Sequence, residues 1–290
     1  GIILSPPAES RVEPGTNLSQ PVRSHPRRRR AQALPKFRFF PSAKKISVWL
    51  DRELRVHAVQ DSAVNGLQFE SRRPVRKVAA AVDASLASFD AAARAGADLL
   101  LVHHGLFWGE APVMDPLLRQ RVRRLVDYGL SLYASHLPLD LHPRRGNNAL
   151  LAQAVGLARL TRFGEYHGQR IGFIGSWPRP ATRPQAAARL RRATAARVRV
   201  WPFGPERIRR AAVVSGGAGD LALEAAAAGC DAFLTGEITH QHYHLCREAG
   251  INVFIGGHYA TETFGVQSLL KWVGETFGVG TEFLDIPTGL

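Results

Sequence analysis

A continuous apolar run, Leu99-Leu100-Leu101-Val102, breaks off into His103-His104-Gly105, and no other stretch constrains the fold as tightly. The run lacks the polar alternation of a half-exposed strand. It therefore predicts a strand buried on both faces, as in a parallel sheet covered by helices. The same pattern recurs along the chain. Strands are predicted over Val75 to Val82, Ser131 to Ala134, Ile208 to Val214, Ala232 to Thr235 and Asn252 to Ile255. Helices are predicted over Ser85 to Ala95, Leu117 to Asp127, Leu221 to Ala228, Thr239 to Ala249 and Glu262 to Thr276. Asp61 to Leu67 reads as a loop with an Asn65-Gly66 turn. Strands and helices in alternation build βαβ units around a buried, mainly parallel sheet, which is an α/β fold.

Between about residues 162 and 207 the alternation loosens. Arg170 to Ser176 and Arg197 to Trp201 read as strands around a helix from Gln185 to Ala195. This predicts an inner lobe over 161–209, set between outer segments 42–160 and 210–290. Residues 1–41 mix Pro, Ser and Arg without periodicity and include Pro26-Arg27-Arg28-Arg29-Arg30. That composition cannot bury enough surface to order itself, so a disordered basic tail is expected there. Ten basic and two acidic side chains fall within residues 1–45, so most of the formal charge of +14 belongs to this end. Net charge alone then does not favour a nucleic-acid partner.

No apolar run approaches the roughly 18 residues that a membrane span needs. The apolar start, Ile2 to Leu4, is broken by Pro6-Pro7 too soon for a signal-peptide core. No membrane partner and a cytoplasmic location are expected. The two cysteines, Cys230 and Cys246, lack a framework of others and are expected as reduced thiols. With so little sulfur, a metal site must be built of nitrogen and oxygen ligands, which argues against zinc-finger and iron–sulfur classes.

In open α/β sheets, reactive side chains gather beyond the carboxyl ends of strands. Three strand ends carry the chemistry here. His103 and His104 close the first; neighbouring strand residues point to opposite sides, so the pair suits two adjacent ions better than one. His136-Leu137-Pro138-Leu139-Asp140-Leu141-His142 follows the second. Asp140 offers an anionic oxygen suited to a divalent cation, although taken alone it reads rather as an Asx-turn or helix-cap residue. His136 and His142 are candidates to orient a ligand or shuttle a proton. Gly146-Asn147-Asn148 reads as a turn that starts a helix. Gly256-Gly257-His258-Tyr259-Ala260-Thr261-Glu262 follows the third strand, and His258 and Glu262 share one face if a helical turn joins them. A plain first-turn carboxylate is the alternative for Glu262. Glu237 ends a further strand and is a candidate base or partner of a ligand. His240 and His244, spaced i and i+4, could hold another metal, with exposed polar positions as the bland alternative; His242 lies between them. Ser215-Gly216-Gly217-Ala218-Gly219-Asp220 reads as a phosphate cradle or as an ordinary βα turn.

The order His103-His104-Gly105-Leu106-Phe107-Trp108, His136 to Asp140 with Gly146-Asn147-Asn148, Thr235-Gly236-Glu237, then Gly257 to Glu262 resembles the Nif-three-like dinuclear metal-centre family, also called type-two GTP cyclohydrolase I homologues. Asp61 to Glu70 resembles that family's amino-terminal motif, and His244 matches one of its histidines. The likeness runs from about Lys45 to Leu290. It implies two similar α/β lobes with mainly parallel mixed sheets and the metal site in the cleft at their strand carboxyl ends. It further implies two divalent ions per chain, with His104 and Asp140 on one, His103 and His258 on the other and Glu262 bridging them. A ring-shaped homohexamer is implied as well.

Nitrogen and oxygen ligands of this kind suit Zn, Fe, Mn, Co or Ni. The expected function is metal-dependent hydrolysis of a small nucleotide-like anion, GTP cyclohydrolase-like by resemblance, with Glu237 and His136 as the candidate catalytic groups. The alternative is a non-catalytic, metal-binding regulatory or nucleic-acid-binding ring.

Overall fold

Helices start where a side chain can satisfy their first free N–H groups. Ser42 accepts from the Lys45 N–H at 3.2 Å to open α1 (Ala43–Glu53), and Ser85 with Ser88 forms a capping box on α2 (Leu86–Arg94). Asp115 caps α3 (Pro116–Tyr128), whose first position is a proline, where a missing N–H costs no hydrogen bond. The computed structural model describes residues 39–110 and 112–290. The tail expected over 1–41 lies, up to residue 38, outside the described residues.

The first sheet joins β1 (Gly66–Phe69), β2 (Lys77–Asp83), β3 (Leu99–His104), β4 (Ser131–Ala134) and β11 (Gly280–Phe283) in the order β1-β4-β3-β2-β11. Its last four members run parallel, and β1 is antiparallel at the edge. The second sheet joins β5 (Ala158–Tyr166), β6 (Gln169–Thr182), β7 (Arg199–Pro202), β8 (Arg207–Gly217), β9 (Ala232–Glu237) and β10 (Asn252–Ile255) in the order β5-β6-β8-β9-β10-β7. Here β8, β9 and β10 are parallel, flanked by antiparallel partners. The mixed α/β architecture expected from the sequence is therefore present, with two sheets.

Strands of the predicted inner lobe, 161–209, bond directly to β8 and β10, so the second sheet takes in the chain from Ala158 to Ile255. Exposed edges of β8 and β10 require partners, and β6 and β7 supply them.

Helix α9 (His258–Phe277) links the sheets. Its Val266, Leu269, Leu270 and Val273 pack on Val78, Ala80, Leu99 and Leu101 of the first sheet. Phe264, on the same helix, packs against the second-sheet core beside Leu151 and Val155 of the α5 region (α5, Asn147–Ala154). Helices α2 and α3 cover the other face of the first sheet through Phe89, Ala92 and Leu125. On the outer face of the second sheet lie α7 (Leu221–Ala227) and α8 (His242–Glu248). Each apolar strand is thus enclosed on both sides, as its sequence demanded.

Among the described residues no helix is long and apolar enough to cross a membrane. Both cysteines are buried and unpaired, and burial pushes the Cys230 thiol up to about 11 despite the Arg210 guanidinium nearby. A thiol reagent at pH 8 is expected to leave the native chain unlabelled and to modify two thiols in denaturant. Rapid labelling without denaturant would contradict this burial.

Candidate metal centre

The carboxyl ends of β3, β4, β8, β9 and β10 open onto one cavity of about 450 Å³. Strand alternation decides what reaches it. Leu99 and Leu101 face α9, Leu100 and Val102 face α2 and α3, and His103 continues the α9 side. Its ring is fully buried, and Nδ1 lies 3.0 Å from the Ser135 carbonyl oxygen. Only an N–H can serve that oxygen, so Nδ1 donates to it and Nε2 is the nitrogen left to hold a metal once the ring is neutral. His103 Nε2 stands 3.5 Å from Asp140 Oδ2 and 3.5 Å from Glu262 Oε1.

His104 turns the other way. Its Nδ1 is 2.8 Å from Asp83 Oδ1 at the end of β2, and its Nε2 is 3.3 Å from Glu262 Oε2. His258, in the first turn of α9, brings Nε2 to 3.2 Å from the same Oε2 and sets Nδ1 3.2 Å from Glu237 Oε1. Helix α9 begins at His258, one turn before the expected start, and that extra turn is what aligns His258 with Glu262. One Glu262 oxygen thus faces His103, and the other faces His104 and His258.

Within the cluster, side-chain contacts sort by the face of β3. His103 stands with Asp140, and His104 stands with His258. The reason is the face of β3: His103 lies on the side covered by α9 and by Leu139 of α4 (Leu137–Asp140), where Asp140 also lies.

The electrostatics match a cation site. Burial alone would lower His103, but Asp140 and Glu262 outweigh it and push the imidazole up to about 9. Burial likewise opposes the charge on His258, and Glu262 with Glu237 raises it to about 9. Burial would raise Glu262; His103, His258 and His104 hold it well below the usual carboxylate range. Yet His103 Nε2 and Glu262 Oε2, both buried, make no hydrogen bond of acceptable geometry. Buried polar atoms rarely go without a partner, and a divalent ion between these lone pairs would satisfy both. The donor set fits the metals expected from it. Two overlapping groups, His103 with His104 and His136, and His104 with His258 and Glu262, each bring three ligand atoms within 4.8 Å of one another.

His136 lines the cavity with its ring 5.0 Å from that of His103, and its Nδ1 lies 2.9 Å from Asp61 Oδ1. Asp61 also accepts from the backbone of Ala63 and Leu137 and from Asn65. Burial opposes its charge, but these donors, the His136 pair first, lower it to about 2.

Residues 41–288 match the family described as Duf34/NIF3 (NGG1p interacting factor 3). The chain belongs to the Duf34/NIF3 family. Similar proteins include the GTP cyclohydrolase 1 type 2 homolog of Archaeoglobus fulgidus, 47% identical over 243 residues, which cover 83% of this chain and 97% of that one. The homolog of the same name from Deinococcus radiodurans is 45% identical over 242 residues, covering 83% of this chain and 92% of the relative. The crystal structure of TTHA1606 from Thermus thermophilus superposes with a TM-score of 0.80 at 38% identity, covering 86% of this chain and all of that one.

In this Duf34/NIF3 chain every candidate ligand and both candidate catalytic residues meet at one place. Other histidines do not. His142 is tied to the backbone N–H groups of Arg144 and Arg145, with its ring against Trp272. Helix α8 starts at His242, so His240 and His244 do not share a helical face, and His242 instead pairs with Asp220 at 2.7 Å.

Three residues without an expected role prove structural to the site. Asp83 holds His104 and Asp61 holds His136. Asn147, whose sequence context reads as the start of a turn, donates to Asp140 Oδ1 at 2.8 Å and accepts from the Gly265 N–H of α9 at 2.6 Å. Its neighbour Asn148 links Ile171 to Ser215 across the second sheet. For Asp61 and Asn147 the only sequence signal is their place in motifs shared with the family; Asp83 carries none. Gly216, in the candidate phosphate cradle, has φ +63° and leaves no room for a Cβ beside the Glu262 carboxylate.

Proposed function

We propose that this chain is a dinuclear metal-dependent hydrolase acting on a nucleotide-like substrate. One observation carries the reading: a buried glutamate whose two oxygens face separate histidine groups, with His103 Nε2 and Glu262 Oε2 left unpartnered. His103, Asp140 and Glu262 would hold one ion, and His104, His258 and Glu262 the other. Bound there, two divalent ions supply Lewis-acid polarisation and a water of lowered pKa.

The chain's own residues account for the rest. Asp61 keeps the His136 proton on Nδ1, so Nε2 is the atom that accepts or returns a proton during turnover. Glu237 acts on His258, holding its Nδ1, and is a positioning residue in this scheme. The relatives' shared name, GTP cyclohydrolase 1 type 2 homolog, supports a nucleotide as the class to test first. Among the described residues that line the cavity there is no Lys or Arg; Arg197 and Arg199 border an adjoining cavity that Glu237 also lines. Attraction for an anion at the centre would therefore come from the ions. The homohexamer implied by resemblance belongs to the same proposal.

Elemental analysis of protein purified without chelators, followed by a nucleotide and phosphoester panel, tests this. Two ions per chain with turnover support it; a metal-free chain sinks it. Uptake also has a pH signature. His103 and His258, both raised to about 9 in the metal-free chain, carry protons at neutral pH and must lose them to become ligands. Metal uptake is therefore expected to release protons at pH 7, and apparent affinity should climb as pH rises toward 9. A pH-stat titration reads both.

A further inference from the structure

We infer that Trp108 and Tyr166 are specificity-determining residues that stack a planar, amino-bearing heteroaromatic ring in the cavity, so that the base end of the substrate enters and not its phosphate end. The inference rests on reading this cavity as the substrate site.

Large aromatic side chains in this fold are mostly enclosed, as Tyr133, Phe89, Phe233 and Phe254 are. Trp108 and Tyr166 are 41% and 45% exposed, and both line the cavity. They arrive from different sheets, Trp108 from the loop after β3 and Tyr166 from the end of β5. Trp108 is already oriented: its Nε1–H donates to the Gly105 carbonyl at 3.1 Å, and its ring lies 5.0 Å from that of His136. Tyr166 rests on the ring of His167 at 4.2 Å. Held aromatic faces bind a flat ring with little ordering cost.

The polar lining says which ring. Glu165, Asp220 and Glu237 border the cavity, without a Lys or Arg among the described lining residues. Carboxylates repel phosphate and accept from ring N–H and amino groups. Ser215, 7% exposed, also lines it, and its hydroxyl has no hydrogen-bond partner. A ligand with ring donors and acceptors satisfies it. A cavity of about 450 Å³ lies within the size range of small-molecule sites.

Calorimetric titration of the full chain with guanosine, inosine and ribose 5-phosphate, in metal-loaded and chelator-treated forms, tests the inference. Guanosine is expected to bind both forms, and more tightly than inosine, which lacks the amino group. Trp108→Ala and Tyr166→Ala should each weaken guanosine about tenfold, with Trp108→Phe retaining most of the affinity. Ribose 5-phosphate should be indifferent to all three substitutions. Circular dichroism and metal content confirm that each variant is folded and loaded. Guanosine binding insensitive to both alanine substitutions, or absent from both forms of the wild type, overturns the inference. Stacking needs no metal, so a failed hydrolase reading would show in elemental analysis and turnover while the chelated titration still reports on Trp108 and Tyr166.

Discussion

Glu262→Ala is expected to leave the chain with at most one bound ion and to lower turnover on the order of 10³-fold or more. Glu262 reaches the histidines on both sides, through Oε1 toward His103 and Oε2 toward His104 and His258. In the proposed centre its removal would take a ligand from both ions and half of the carboxylate charge that Asp140 and Glu262 would provide. The metal-free chain should suffer too. His258 owes its raised pKa first to this carboxylate, and His103 owes its own to Asp140 and then to this carboxylate; a buried pair broken on one side costs about 3–5 kcal/mol. Below pH 6.5 both imidazoles are charged whether folded or not, so the penalty is fully present there. It shrinks as pH rises toward 9 and the imidazoles become neutral. Glu262→Gln keeps the volume and should lose metal to a similar degree with less cavity formation. Two ions per chain and an unchanged melting temperature in Glu262→Ala would remove the centre from the account.

The second large effect is expected from a residue that touches no metal. Gly216→Ala should reduce bound metal and destabilise the fold, although every ligand is intact. Gly216 sits at φ +63°, and an added Cβ would overlap the Glu262 carboxylate. Its backbone cannot step aside easily, because its N–H donates to Thr261 Oγ1 at 3.0 Å and its carbonyl accepts from Thr235 Oγ1 at 3.1 Å. A non-glycine residue held in this region costs about 1–3 kcal/mol, and each kcal/mol lowers the melting temperature by about 2–4 °C at this chain size. The clash comes on top, and it falls on the Glu262 carboxylate itself. Elemental analysis beside a thermal melt checks both halves. Full metal content in Gly216→Ala would show that Glu262 does not need its present position.

Much of this is legible in the chain. Leu99 to Val102 announces a strand buried on both faces, and β3 is one, because a stretch without polar alternation has no face to give to water. The ligand candidates are legible for a related reason. His103, His104, Asp140, His258 and Glu262 each follow an apolar strand, and parallel strands deliver their carboxyl ends to the same side of a sheet. The edges are less legible. Gly66 to Phe69 overlaps a stretch that reads locally as a turn, and only its pairing with Ser131 to Ala134 makes it a strand. Likewise Arg170 to Ser176 and Arg197 to Trp201 read locally as strands, but no local pattern says that they pair with β8 and β10.

What the sequence determined by itself is therefore the set: the strands, their order and the kinds of side chain at their ends. Local periodicity and residue chemistry suffice for that. Tertiary structure alone decided the grouping within the set. It placed His103 with Asp140 and His104 with His258, because the face on which β3 meets α9 is chosen by packing between two sheets. It also gave Asp61, Asp83 and Asn147 their roles, through hydrogen bonds to His136, His104 and Asp140 from residues 75, 21 and 7 positions away. Such contacts are written in no local pattern, since they exist only once distant strands have closed on one helix.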